Sequence, residues 1–142
     1  MTQKIIYATP EGGVAVVHPT GEVPINELVS KVVPAGAKFE IVNESVIPSD
    51  RFFRGAWVAN GAAVEVDLDK AKEVGHDLRR AARAEEFKPF DEVIAKQIPG
   101  VDAVAAEEAR QAIRDKYALV QDVINGAEDP DTIKQAIEAN QP

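Results

Sequence analysis

The sequence changes character once, at Asp67, and that change limits the folds open to the chain. Before it, the apolar runs are short, β-branched and punctuated by glycine and proline. Lys4–Ala8 and Val14–His18 are two such runs, joined by Thr9-Pro10-Glu11-Gly12-Gly13. This is a hairpin signal, since glycine supplies the left-handed positions that a tight turn needs. Pro24–Val33 predicts one short helix, with proline in its first turn and Ile25, Leu28, Val29 and Val32 at helical spacing. Lys38–Asn43 alternates polar and apolar residues as a half-buried strand does, and Asn60-Gly61 separates two further strand-like runs.

After Asp67 the period becomes helical. Asp67 and Asp69 are both candidate N-caps, and Ala71, Val74, Leu78, Ala81 and Ala82 form a stripe that thins at Glu85. Lys88-Pro89 predicts a kink or interruption. Phe87, Phe90, Val93, Ile94 and Ile98 resume an apolar face until Pro99-Gly100. Asp102 is a candidate cap for a long helix ending near Ile124, with Ala106, Ala109, Ile113, Tyr117, Val120 and Ile124 on one side. Asn125-Gly126 has the composition of a C-cap. Asp129-Pro130 opens a last short helix carrying Ile133 and Ile137. Strands first and helices afterwards predict an α+β protein. Residues 1–67 form a small β-rich unit with hairpins and one short helix, and residues 68–142 a helical region of two to four helices. Because these helices are alanine-rich with thin apolar stripes, they are expected to pair with each other or with a partner.

A chain of 142 residues can bury an adequate core without staples, and this one has no cysteine to make them. Neither a signal peptide nor an apolar run of the ~18–20 residues that a membrane span needs is visible, so synthesis in the cytoplasm is expected. The formal net charge is −8, and the excess lies mainly in residues 99–142, with 4 basic and 9 acidic side chains. Such a surface is repelled by phosphate backbones, which argues against nucleic acid as a partner.

Nothing in the sequence reads as catalytic chemistry, and neither a cofactor nor a metal is expected. His18 and His76 are the only histidines, and no third ligand is placed near either. Ser30, Ser45 and Ser49 sit in no nucleophile elbow, and Gly12-Gly13 is too short for a phosphate loop. Glu85-Glu86, Glu107-Glu108 and Asp129 with Asp131 fit solvated helix faces and helix N-termini. Arg79 and Arg83 share a helix face and are secondary candidates for gripping a partner. The competing reading is local pairing of Lys70 with Glu73, Asp77 with Arg80 and Arg83 with Glu86.

The densest segment is Ile47–Trp57, where Arg51, Phe52, Phe53, Arg54 and the only tryptophan, Trp57, share one short connector. Trp and Arg are enriched at binding hot spots, which makes these five the leading contact or anchor residues. A structural role competes with that one: Trp57 and one phenylalanine plugging the space between the sheet and the first long helix.

The same residues resemble a family of small tailed-phage and prophage proteins. In it a beginning like Ile-Ile-Tyr-x-x-Pro-x-Gly-Gly-Val is followed by Ile-Pro-x-Asp-Arg-x-Phe-Arg-x-Ala-Trp. A segment similar to Val-Asp-x-x-Lys-Ala-Arg-Glu-Ile comes next, with further arginines one and two turns on. The matching positions here are Ile5-Ile6-Tyr7, Pro10, Gly12-Gly13-Val14, Ile47-Pro48, Asp50-Arg51, Phe53-Arg54 and Ala56-Trp57. They continue through Val66-Asp67, Lys70-Ala71-Lys72-Glu73-Val74, Asp77, Arg80 and Arg83. Phe52 stands where a small polar residue is usual, Gly55 where Asn is usual, and Gly75 where a larger side chain is expected. The resemblance implies a non-enzymatic virion structural protein of the tail, neck or fibre-attachment region. Its expected partners are other phage structural proteins and further copies of itself, with no membrane or nucleic acid. Two alternatives stand beside it: a tail or fibre assembly chaperone that leaves the finished particle, and an acidic phage inhibitor of a host protein.

Overall fold

A computed structural model describes residues 2–96 and 103–142. The chain divides into two compact units, 1–70 and 71–142, and the architecture is α+β, strands first and helices after.

The first unit contains β1 (Gln3–Ala8), β2 (Val14–Val17), α1 (Ile25–Val32), β3 (Phe39–Asn43), β4 (Trp57–Asn60) and β5 (Ala63–Val66). An antiparallel sheet runs in the order β2-β1-β3, and β4-β5 is a separate antiparallel pair. Ile6 lies opposite both Val16 and Glu40, and Lys4 lies opposite Val42. Opposed residues share a face, so Lys4, Ile6, Val14, Val16 and Val42 all lie on the core side of the sheet. Ile6, Val14 and Val42 meet Trp57 and Val64 there, with Val16, Ile47 and Val66 packed around them. In β3 this reverses the expected alternation. Val42 is the buried residue, whereas Phe39, whose parity matches Ile41, is 42% exposed.

Turn chemistry fixes the register. Thr9 and Gly13 close the first hairpin: the Thr9 N–H donates to the Gly13 carbonyl and the Gly13 N–H to Thr9 Oγ1, each at 3.0 Å. Gly12 takes φ +85°, which an L side chain would resist. In the second hairpin Asn60 pairs with Ala63, so Gly61-Ala62 forms the two-residue loop, with Gly61 at φ +59°.

The second unit contains most of α2 (Leu68–Lys96), α3 (Ala103–Gly126) and α4 (Pro130–Ala139). Asp67 is the cap of α2, its Oδ1 accepting the Lys70 N–H at 2.9 Å. Asp129 caps α4, accepting both the N–H and the hydroxyl of Thr132 at 2.8 Å. Those two bonds hold the Asp129 carboxyl below its usual pKa. Cross-links pair early residues of α2 with late ones of α3, which makes the two helices antiparallel. Lys72 Nζ donates to the Asn125 carbonyl at 3.0 Å, Lys116 Nζ lies 3.0 Å from Glu86, and Arg110 Nε lies 3.1 Å from Asp91.

Three helical expectations are corrected. Pro89 does not interrupt α2, which is continuous through it. Pro89 and Glu85 are both exposed, so the carbonyl that loses its partner faces water. The buried line of α2 is Ala71, Gly75 and Arg79, rotated from the expected stripe, and Leu78 is 37% exposed. Gly126 is the last residue of α3 itself and does not take a left-handed φ. The Ala127 N–H closes that end onto the Ile124 carbonyl at 3.2 Å. The α3 stripe of Ala106, Ile113, Tyr117, Val120 and Ile124 is buried as expected, as are Ile133 and Ile137 of α4. Ile98, Pro99, Gly100 and Asp102 lie outside the described residues.

Candidate functional site

The connector before β4 is a corner built from its own backbone. Asp50 Oδ1 accepts the Phe52 N–H at 2.9 Å, and the Arg54 N–H donates to the Arg51 carbonyl at 3.0 Å. The Ala56 N–H then donates to the Phe53 carbonyl at 2.8 Å, completing a short 3-10 turn over Arg54–Ala56. This turn drives Phe53, Ala56 and Trp57 inward, with Trp57 only 1% exposed. Trp57 fills the space between the two sheets of its own unit. Among the described residues its Nε1–H has no hydrogen-bond partner.

Arg54 is the strut of the corner. Its Nη2 donates to the Val14 carbonyl at 2.8 Å, and its guanidinium lies 4.6 Å from the centre of the Trp57 ring. Burial, then the neighbouring charge of Arg51, pushes its pKa down from the ordinary arginine value. Arg51 is exposed, with its guanidinium 5.7 Å from the same ring. Phe52 is half-buried and stands edge-on to Phe53 at 4.8 Å. The five connector candidates therefore divide: Phe53 and Trp57 are core anchors, Arg54 ties the corner to β2, and Arg51 and Phe52 reach the surface.

Arg79 and Arg83 do not form a common grip. Arg79 is 7% exposed, and its Nε–H points to His76 Nδ1 at 3.3 Å. Burial, then Arg80 and Arg83, lowers its pKa. His76 Nδ1 acts as the acceptor there, so Nε2 carries the proton and donates to Asn125 Oδ1 at 2.8 Å. This geometry ties His76 to the end of α3 at the surface. Arg83 lies over the Phe87 ring at 5.1 Å, with Arg110 and Arg114 each at 5.9 Å. Of the expected local pairs, Asp77 with Arg80 forms at 2.9 Å. Glu86 is held instead by Lys116, and Lys70 Nζ donates to the Gly12 carbonyl at 2.7 Å.

Two surfaces escaped sequence reasoning. One is an open cleft of about 860 Å³ in the first unit, lined by Lys4, His18 and Arg51 together with Thr2, Ser45 and Ser49. Its residues come from the start of β1, the residue after β2, the turn after β3 and the connector, and that separation hides their convergence in the sequence. Only the parity of Lys4 with Ile6 in β1 would have signalled a charge on the core side of a strand. The other is on α3, where Leu119 is 68% exposed and Val123 45%. They lie one turn apart, off the buried stripe, beside an α3–α4 groove of about 490 Å³ that also includes Val120 and Ala136. An apolar i, i+4 pair off the main stripe is visible in the sequence and marks such a face.

Among the described residues, no three His, Cys, Asp or Glu side chains converge as a metal site. No described helix is long and apolar enough to cross a membrane. No protein-family model, characterised protein or solved structure matches the chain.

Proposed function

We propose that this chain is a structural protein of a tailed-phage virion, placed in the tail, neck or fibre-attachment region and acting through protein–protein contacts. The phage assignment rests on the Ile47–Trp57 motif and its flanking segments. The observation that supports a contact role is the α3 face. Leu119 at 68% exposure and Val123 at 45% border an apolar groove. Burying a large aliphatic side chain is worth roughly 1.5–3 kcal/mol, so a neighbouring subunit that covers this pair gains appreciably. The partner is another protein of the particle presenting an apolar helix face to the groove.

Quantitative mass spectrometry of purified particles from the encoding phage, scaled to the major capsid protein, tests the reading. A fixed copy number per particle is expected. The double variant Leu119→Asp, Val123→Asp is expected to melt like the wild type and fail to enter particles. Absence of the wild-type chain from particles, with abundance in infected cells, would overturn the virion role in favour of an assembly chaperone. Stoichiometric recovery with one host protein would favour the inhibitor instead.

A further inference from the structure

Lys4 is the most anomalous side chain in the first unit. It sits on the central strand β1, directly opposite Val42, on the side of the sheet that carries the core. It is 9% exposed, yet among the described residues no carboxylate pairs with it and no hydrogen bond satisfies it. Its buried part is the aliphatic stem, which carries the ammonium to the cleft surface without a counter-charge, where an anion would pair with it. Lys4 lines the 860 Å³ cleft, where a second cation, Arg51, also lacks a carboxylate partner among the described residues. Two cations lining one concavity make its potential positive and favour an anion there. The remaining polar lining supplies donors: the hydroxyls of Thr2, Ser45 and Ser49 and the imidazole of His18. The one carboxylate in the lining, Glu44, is exposed.

We propose that this cleft is a binding site for the phosphate group of a small molecule. A tetrahedral dianion has three terminal oxygens and about two charges to satisfy. Lys4 and Arg51 match the charge, and the three hydroxyls match the additional oxygens, whereas a single carboxylate would leave most of these donors idle. The cleft volume lies within the range of small-molecule sites, and the acidity of the rest of the chain disfavours a polymeric phosphate backbone.

The test is titration of the full chain with inorganic phosphate, and in parallel with succinate at matched ionic strength, followed by amide NMR and by thermal melting. Saturable shifts confined to residues around Lys4, Ser45 and Arg51 are expected with phosphate, together with a rise in melting temperature. Succinate is expected to give neither. Lys4→Met keeps the aliphatic stem, so the sheet still folds, and Arg51→Gln keeps a polar surface. Each is expected to weaken phosphate binding by about tenfold or more, the loss of one charge-assisted contact. Lys4→Met without phosphate is expected to melt no lower than the wild type. Should Lys4→Met fail to fold, Lys4→Gln takes its place in the same comparison. Unsaturable shifts, equal binding of succinate, or unchanged phosphate affinity in both variants would overturn the proposal.

Discussion

Gly75 of α2 lies directly against Ile133 of α4: a β-carbon at position 75 would stand 2.6 Å from Ile133 Cγ2, and 3.5 Å from Ile124 Cδ1 of α3. The absent side chain lets the three helices of the second unit approach closely. Gly75→Ala would gain up to about 1 kcal/mol in helix propensity, but overpacking a rigid contact costs typically 1–3 kcal/mol. The variant is therefore expected to be less stable in urea denaturation. Ile133→Ala alone should cost about 2–5 kcal/mol. In the double variant the Gly75→Ala penalty should vanish, because the space it needs is vacated. Strict additivity would show that the contact relaxes freely.

Trp57 separates core packing from partner contact. Trp57→Ala is expected to lower the stability of the isolated protein by about 3–5 kcal/mol, the cost of deleting a large buried aromatic. Because Trp57 Nε1–H has no partner among the described residues, Trp57→Phe forfeits no hydrogen bond to them and should cost clearly less. Equilibrium unfolding of the two variants checks this. Equal costs would imply a hidden partner for the indole N–H, and an unchanged midpoint in Trp57→Ala would place the ring outside the core.

Arg54 joins the corner to the first hairpin through one charged hydrogen bond and one ring contact. Arg54→Met keeps the aliphatic stem and removes the donor that satisfies the Val14 carbonyl. A loss of roughly 1.5–3 kcal/mol is expected. Arg54→Lys retains the charge but not the planar stack over Trp57, and should fall between the two. Stability curves for the three proteins, with amide exchange at β2, are the measurement.

Glu86 makes part of the second unit's stability pH-dependent. Burial alone would raise its pKa. The hydrogen bonds and charge of Lys116, with the nearby Tyr117 hydroxyl, outweigh burial and hold it below the ordinary value. The Tyr117 hydroxyl has a single proton and donates it to the Asn140 carbonyl at 2.9 Å, so Glu86 depends chiefly on Lys116 Nζ, 3.0 and 3.2 Å away. Burial, then the nearby Glu86 carboxylate, raises the Tyr117 pKa. A carboxyl with a depressed folded-state pKa stabilises the fold above its unfolded value, about 4.3, and loses that contribution as the pH falls through the folded value. The stability difference between wild type and Glu86→Gln should therefore be largest near neutral pH and shrink below about pH 4. Parallel melting curves from pH 7 to pH 3 would contradict this.

The sequence by itself determined the elements and their order. Hydrophobic period, β-branching and turn glycines are local properties. They were enough to place the first hairpin, the second to within one residue, the start of the last helix at Asp129, and the α3 stripe from Ala106 to Ile124. The α2 cap stayed open between Asp67 and Asp69 until the structure chose Asp67. What tertiary structure alone decided is which face of each element is inside. In α2 the period permits several neighbouring stripes. The close approach of Ile133 and Ile124 selects Gly75, and so carries Ala71 and Arg79 inward while Leu78 stays at the surface. In β3 the pairing register with β1 buries Val42 and leaves Phe39 exposed. The same register puts Lys4 on the core side of its sheet, lining one cleft with an arginine 47 positions away in the sequence. Local patterns specify what a segment can become. Side-chain orientation and convergence depend on partners distant in the chain, and those exist only once the chain has packed.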